Sequence, residues 1–142
     1  ETRAQFQHTY DLLAELELDV AHLARYSPRP GTVAERRMPD DVSEEEKWDR
    51  FRALEELQEK IAAQINARYL GETAEVLFEA EVRGRWKGRT PTNKLVFAAF
   101  DQPRQGQLLP VTITWTGPWS MQGRLPGLQP IPISLDTIAS PA

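Results

Sequence analysis

Residues 74–82 read AEVLFEAEV. Val76, Phe78, Ala80 and Val82 fall on alternate positions, the period-two pattern of a half-buried strand. Upstream of residue 73 the apolar spacing follows three and four, so the chain changes from helix to sheet here. Three further stretches follow: KLVFAAF (94–100), LLPVTITWT (108–116) and SMQGRLPG (120–127), each short and set off by Gly, Pro or Gln. They describe a small all-β unit of about five strands. Closing such short strands into a barrel removes exposed edges, and the length suits a small OB-like barrel.

Within this unit, residues 83–94 (RGRWKGRTPTNK) hold five basic side chains and no acidic one, in a chain whose formal net charge is -4. Arg83, Arg85, Lys87 and Arg89 are spaced by two, so an extended strand would place all four on one face. Asn93 and Lys94 follow a Thr-Pro-Thr turn. Arginine forks suit phosphate oxygens, and Thr90 or Asn93 could reach a 2′-hydroxyl or a base edge. Trp86, Trp115 and Trp119 could offer stacking surfaces beside the charge. Two readings stay open on the residues alone. One is a nucleic-acid contact; the other is a solvated strand face whose charge blocks edge pairing, with the tryptophans in or at the core.

Upstream, Ser43 followed by Glu46 is a capping-box pattern, and Glu44 and Glu45 suit the positive end of a helix dipole. Trp48, Phe51, Leu54, Leu57, Ile61 and Ile65 then recur every three or four residues, predicting a packed helix to about Tyr69 with Gly71 as its breaker. Residues 4–18 predict another helix, with Phe6, Tyr10, Leu13 and Leu16 on one face. DVAHLARYS (19–27) reads as a short buried strand. A turn, SPRPGT, and a linker, VAERRMPDDV, join it to the long helix. The fold class is therefore α+β. The expected organisation is 1–36 as an α/β piece, 37–71 as linker and connecting helix, 72–127 as the barrel, and 128–142 as a Pro-rich tail. Charge supports the division: residues 1–71 carry a balance of -5 and residues 72–125 one of +2.

The chain has no cysteine, which leaves no thiolate for a disulfide, zinc or iron–sulfur site within it. His8 and His22 lack metal-binding spacing, and no metal site is expected. No phosphate-binding loop, nucleophile elbow or histidine-based nucleophile pattern occurs, so no catalytic residue is assigned. Asp40 and Asp41 fit a turn approaching a helix. No apolar stretch is long enough to span a bilayer, and the start resembles no signal peptide.

Several segments occur in an order shared with a known family: YSPRPGTVA (26–34), MPDDVSEEEK (38–47), LQEKIAAQINARYLG (57–71) and GRTPTNKLVF (88–97). In these the chain resembles the C-terminal part of the radical-SAM tRNA methylthiotransferases, from Glu1 to about Gly127. The likeness is to the branch acting on isopentenyladenosine. It implies that residues 1–36 end a radical-SAM partial barrel as a helix and strand, that the helix from Ser43 is a connector, and that the β-unit is a TRAM domain. The family's GRT-x-x-N pattern falls on Gly88, Arg89, Thr90 and Asn93. The branch that modifies a ribosomal protein generally lacks that pattern.

The resemblance implies a role in tRNA modification, with Arg83, Arg85, Lys87, Arg89, Thr90, Asn93 and Lys94 contacting the tRNA anticodon arm. It implies two 4Fe-4S clusters and S-adenosylmethionine in a longer parent, with the cysteines upstream of Glu1; this chain alone is expected to bind no cofactor and to be inactive. Arg25, Tyr26, Ser27 and Arg29 would line a SAM or substrate pocket, or simply end a strand and make a turn. Expected partners are tRNA and upstream domains of the same parent, in the cytoplasm and without a membrane. Two alternatives are a protein-directed methylthiotransferase and a TRAM interaction module without RNA contact.

Overall fold

The computed structural model describes residues 1–127; the Pro-rich tail lies outside the described residues. The chain divides into two compact units, Glu1–Ile65 and a second that begins at Asn66.

The first unit opens with helix α1, Arg3–Leu16. Thr2 caps it reciprocally: its hydroxyl accepts from the Gln5 amide at 3.3 Å, and the Gln5 side chain accepts from the Thr2 amide at 2.7 Å. No strand forms over Asp19–Ser27, which corrects the expected helix–strand piece. Among the described residues no strand pairs with this segment to satisfy its backbone, and Val20 and Tyr26 are exposed rather than buried. Gln58 supplies part of what a strand partner would have given, donating to the carbonyls of Leu18 (3.1 Å) and Asp19 (3.3 Å). Within the expected linker a short helix, α2, spans Val33–Arg37, capped by the Thr32 hydroxyl.

Helix α3, Glu44–Ala67, starts where its capping signal places it. The Ser43 hydroxyl accepts from the Glu46 amide at 3.2 Å. Its stripe is unevenly covered. Ile61 is buried, whereas Trp48 is 45% exposed, its ring edge-on to Phe51 at 5.8 Å.

The second unit is a closed barrel of five strands in the order β1-β2-β3-β5-β4. They are β1 (Thr73–Val82), β2 (Arg85–Arg89), β3 (Leu95–Ala98), β4 (Leu108–Thr116) and β5 (Met121–Arg124). All neighbours are antiparallel except β3 and β5, which run parallel. Val76, Phe78, Val96, Val111, Ile113 and Met121 are fully buried and fill the interior, with Phe100 edge-on to Phe78 at 4.9 Å. Closure leaves no long open edge, as the reading of short strands anticipates.

A bulge between Phe78 and Ala80 interrupts the alternation of β1. Beyond it Ala80 pairs with Lys87 and Val82 with Arg85, and Val82 is 41% exposed. Ala80 and Val82 therefore leave the inward set to which the period-two pattern assigns them, because one extra residue swaps the two faces of a strand.

Candidate nucleic-acid interface

Strand β2 alternates strictly, with Trp86 and Gly88 buried and Arg85, Lys87 and Arg89 partly exposed. Those three cations share the outer face. Arg83 does not join them on the strand. It sits with Gly84 in the β1–β2 turn, both residues at positive φ (52° and 75°), the conformation that matches a tight hairpin. The row of four cations is thus three on a strand and one on a turn. Among the described residues, no salt bridge involves Arg83, Arg85 or Lys87.

Pair register extends the outer face across the barrel. Arg89 lies beside Leu95 and Lys87 beside Phe97. Phe97 then pairs with Gln122, and Gln122 with Trp115. Paired residues point to the same side of a sheet, so cations, a phenyl ring and an indole share one surface. Of the tryptophans, Trp86 belongs to the core at 8% exposure, while Trp115 and Trp119 are exposed.

The Gly-Arg-Thr-x-x-Asn residues each do a job in the fold. A Cβ at Gly88 would lie 2.6 Å from both the Leu77 carbonyl oxygen and Val76 Cγ1, so only glycine lets β2 approach β1 here. An Arg89 Nη1 proton goes to the Asn93 carbonyl at 3.1 Å. Thr90 is buried, and its hydroxyl accepts from the Lys94 amide at 3.0 Å. Its amide donates to the Lys94 carbonyl at 3.0 Å, and its own carbonyl accepts from the Asn93 amide at 2.8 Å. Asn93 holds φ 63°, a left-handed conformation that asparagine tolerates. The Thr92 hydroxyl completes the loop, 3.0 Å from Tyr69 Oη and 3.1 Å from the Thr90 hydroxyl. The loop therefore presents Arg89 and an exposed Asn93 side chain from a braced turn.

Thr90→Val tests that bracing. It leaves the Lys94 amide without its side-chain acceptor, at a cost of about 1–3 kcal/mol. For a unit this small the melting temperature falls by roughly 5 °C or more. A melt followed by circular dichroism that stays within a degree or two of the parent contradicts the assignment.

The residues singled out in the first unit fare differently. Arg25 and Tyr26 line a largely apolar cavity of about 370 Å³, whose wall includes Phe6, Leu23, Phe51 and Leu54. Ser27 and Arg29 are not among its lining residues and lie exposed. Arg25 is already engaged, bonding Glu44 at 2.9 Å with its guanidinium 3.8 Å above the Trp48 ring. Lys47, only 7% exposed, bonds Asp40 at 2.5 Å and Glu44 at 2.8 Å. The Asp40 bond, then the Glu44 bond, pushes the Lys47 amine above its usual pKa. Glu44 is held below the usual carboxylate range, first by its hydrogen bond from Lys47. Glu46 is lowered by its bonds from Arg3 and then Arg50. These polar groups satisfy one another, and no cysteine is present to ligate iron. The residues of this unit do not fit an iron–sulfur cluster.

No family model matches the chain. Curated relatives do. A tRNA-2-methylthio-N(6)-dimethylallyladenosine synthase of Chloroflexus aurantiacus is 49% identical over 126 residues, covering 87% of this chain and 27% of the relative. One of Roseiflexus sp. is 50% identical over 128 residues, with 88% and 27% covered. One of Aquifex aeolicus is 38% identical over 128 residues, with 88% and 28% covered. The chain is homologous to one part of these synthases. It spans less than a third of their length. Among solved structures, a multidomain protein with nucleic acid binding domains from Streptococcus pneumoniae aligns at TM-score 0.37 and 16% identity. That alignment covers 48% of this chain and 26% of the other, too slight a likeness to bear on the fold. Among the described residues, no helix is long and apolar enough to cross a membrane.

Proposed function

We propose that this chain is the tRNA-holding part of a methylthiotransferase that modifies isopentenyladenosine beside the anticodon, and that the β-unit is its TRAM barrel. The observation that carries the reading is the outer face of β2. There Arg85 stands in register with Val82, Lys87 with Phe97 and Arg89 with Leu95, in a chain that is acidic as a whole. Cations at strand spacing neutralise successive phosphates, and the braced Thr90–Asn93 turn fixes where Arg89 and Asn93 project. Homology over most of the chain to synthases named for a tRNA product supports the same reading.

The two iron–sulfur clusters and S-adenosylmethionine would be held by other parts of a cytoplasmic radical-SAM parent, which this chain would contact through its first unit. Reductive cleavage of SAM would take place there; this chain's own residues would bind and orient the RNA. A protein-directed role fits less well, because a barrel gripping a basic ribosomal protein calls for an acidic or neutral face.

The test is titration of the chain with an anticodon stem-loop carrying isopentenyladenosine, across a series of salt concentrations, against an unrelated hairpin. Preferential binding that weakens as salt rises is the expected result. Equal or absent binding to both hairpins at low salt overturns it.

A further inference from the structure

Strict alternation along VTITWT (111–116) would send Val111, Ile113 and Trp115 to the same side. Val111 and Ile113 do fill the core. Trp115 does not. A register shift between Ile113 and Trp115 makes Thr114 the extra residue, so Trp115 pairs with Gln122 on the outer face and is 48% exposed. A bulge that re-aims one side chain is a recognised feature of functional sheet surfaces. Here it takes the largest apolar side chain of the strand out of the core.

The indole is also held at its tip. A Cβ on Gly117 would lie 2.5 Å from Trp115 Cη2 and 3.2 Å from both Cζ2 and Cζ3, so the tip of the six-membered ring lies against Gly117 and only glycine leaves room for it. The turn that carries Gly117 is pinned. Its amide donates to the Ser120 carbonyl at 2.9 Å, and buried Asn66 donates to the carbonyls of Gly117 (2.7 Å) and Pro118 (3.0 Å). The ring is thus fixed at its tip while about half of the residue, 48%, stays open to a ligand.

We propose that Trp115 is a preorganised platform on which one unpaired nucleobase of the bound RNA stacks. The charge on the same surface selects this occupant. From Trp115 the register runs through Gln122 and Phe97 to Lys87, three strand spacings or roughly 14 Å along the backbone of the sheet. A ligand that touches both ends offers flat apolar rings and, a short distance along, negative charge. A single strand of nucleic acid has that alternation. The distance lies well inside the roughly 4–16 nucleotides that one OB-type barrel holds. A base within a duplex is already stacked, so the platform takes bases from a loop or a free strand. The inference rests on the RNA-holding reading above and adds a contact that does not involve phosphate.

That difference separates the two in one experiment. The probe is an unmodified anticodon stem-loop, with the same stem as a blunt duplex for control. Trp115→Leu should weaken loop binding about 5- to 150-fold while leaving the salt slope unchanged. Trp115→Phe should recover much of the loss, and Gly117→Ala, which pushes the ring off its seat, should reproduce part of it. Thermal melts of each variant establish that the barrel is folded. If the parent binds with a normal salt slope and Trp115→Leu binds as tightly, the platform is overturned and the phosphate contacts stand. A fall in duplex affinity equal to that for the loop overturns it too. If the parent binds no RNA, the platform and the reading beneath it both fail.

Discussion

Phe78→Ala is expected to abolish the cooperative melt of the barrel. Phe78 is completely buried at the centre of a small core and meets Phe100 edge-on. Removing a buried phenylalanine costs about 3–5 kcal/mol, the lost transfer energy plus a cavity that neighbours only partly fill. A unit of this size has little more than about 5 kcal/mol of stability to lose. Its core strands are pinned from both sides by β1–β2 and β1–β4 pairing, which limits collapse into the space. Near-ultraviolet circular dichroism should lose its aromatic bands at room temperature. A sharp transition within a few degrees of the parent would show that the interior is not organised around Phe78.

The second large effect is on RNA binding. Replacing Arg85, Lys87 and Arg89 together by Gln should lower affinity for the anticodon stem-loop by about 100-fold at 0.1 M salt. Each phosphate contact to a single strand contributes about 0.7 to the salt slope, so three contribute about 2. The slope should flatten by that amount while the fold persists, because all three side chains lie on the outer face. Arg89 has a second role, since it also bonds the Asn93 carbonyl. Lys87→Gln alone is therefore the cleaner measure of one contact, expected to flatten the slope by about 0.7. An unchanged slope in the triple variant would return the three cations to a solvated strand face.

Much of the candidate site was legible before any coordinates. Spacing by two puts Arg85, Lys87 and Arg89 on one face, because a short strand with no bulge obeys period two; that Trp86 takes the inner face came from the structure. What was not legible in the same segment is that the Gly-Arg-Thr-x-x-Asn residues brace the loop. Gly88 is needed only because Leu77 and Val76 come so close, and those neighbours are brought by β1 pairing. Arg83 was misplaced because Arg-Gly forms a turn once β1 and β2 pair. Among the tryptophans, the identity of the residue says nothing of its side of the wall; Trp86 and Trp115 end on opposite sides.

By itself, then, the sequence determined the long capped helix, the change of period after Gly71, the number of strands and the local concentration of positive charge. These depend on residues within a few positions of one another, where capping, spacing and turn chemistry act. Tertiary structure decided the rest. It decided that Asp19–Ser27 forms no strand, since a strand exists only with a partner to bond. It decided that β3 and β5 run parallel and close the barrel. It placed the two bulges that turn Val82 and Trp115 outward, because a register shift depends on the opposite strand and leaves no local mark in the chain that carries it.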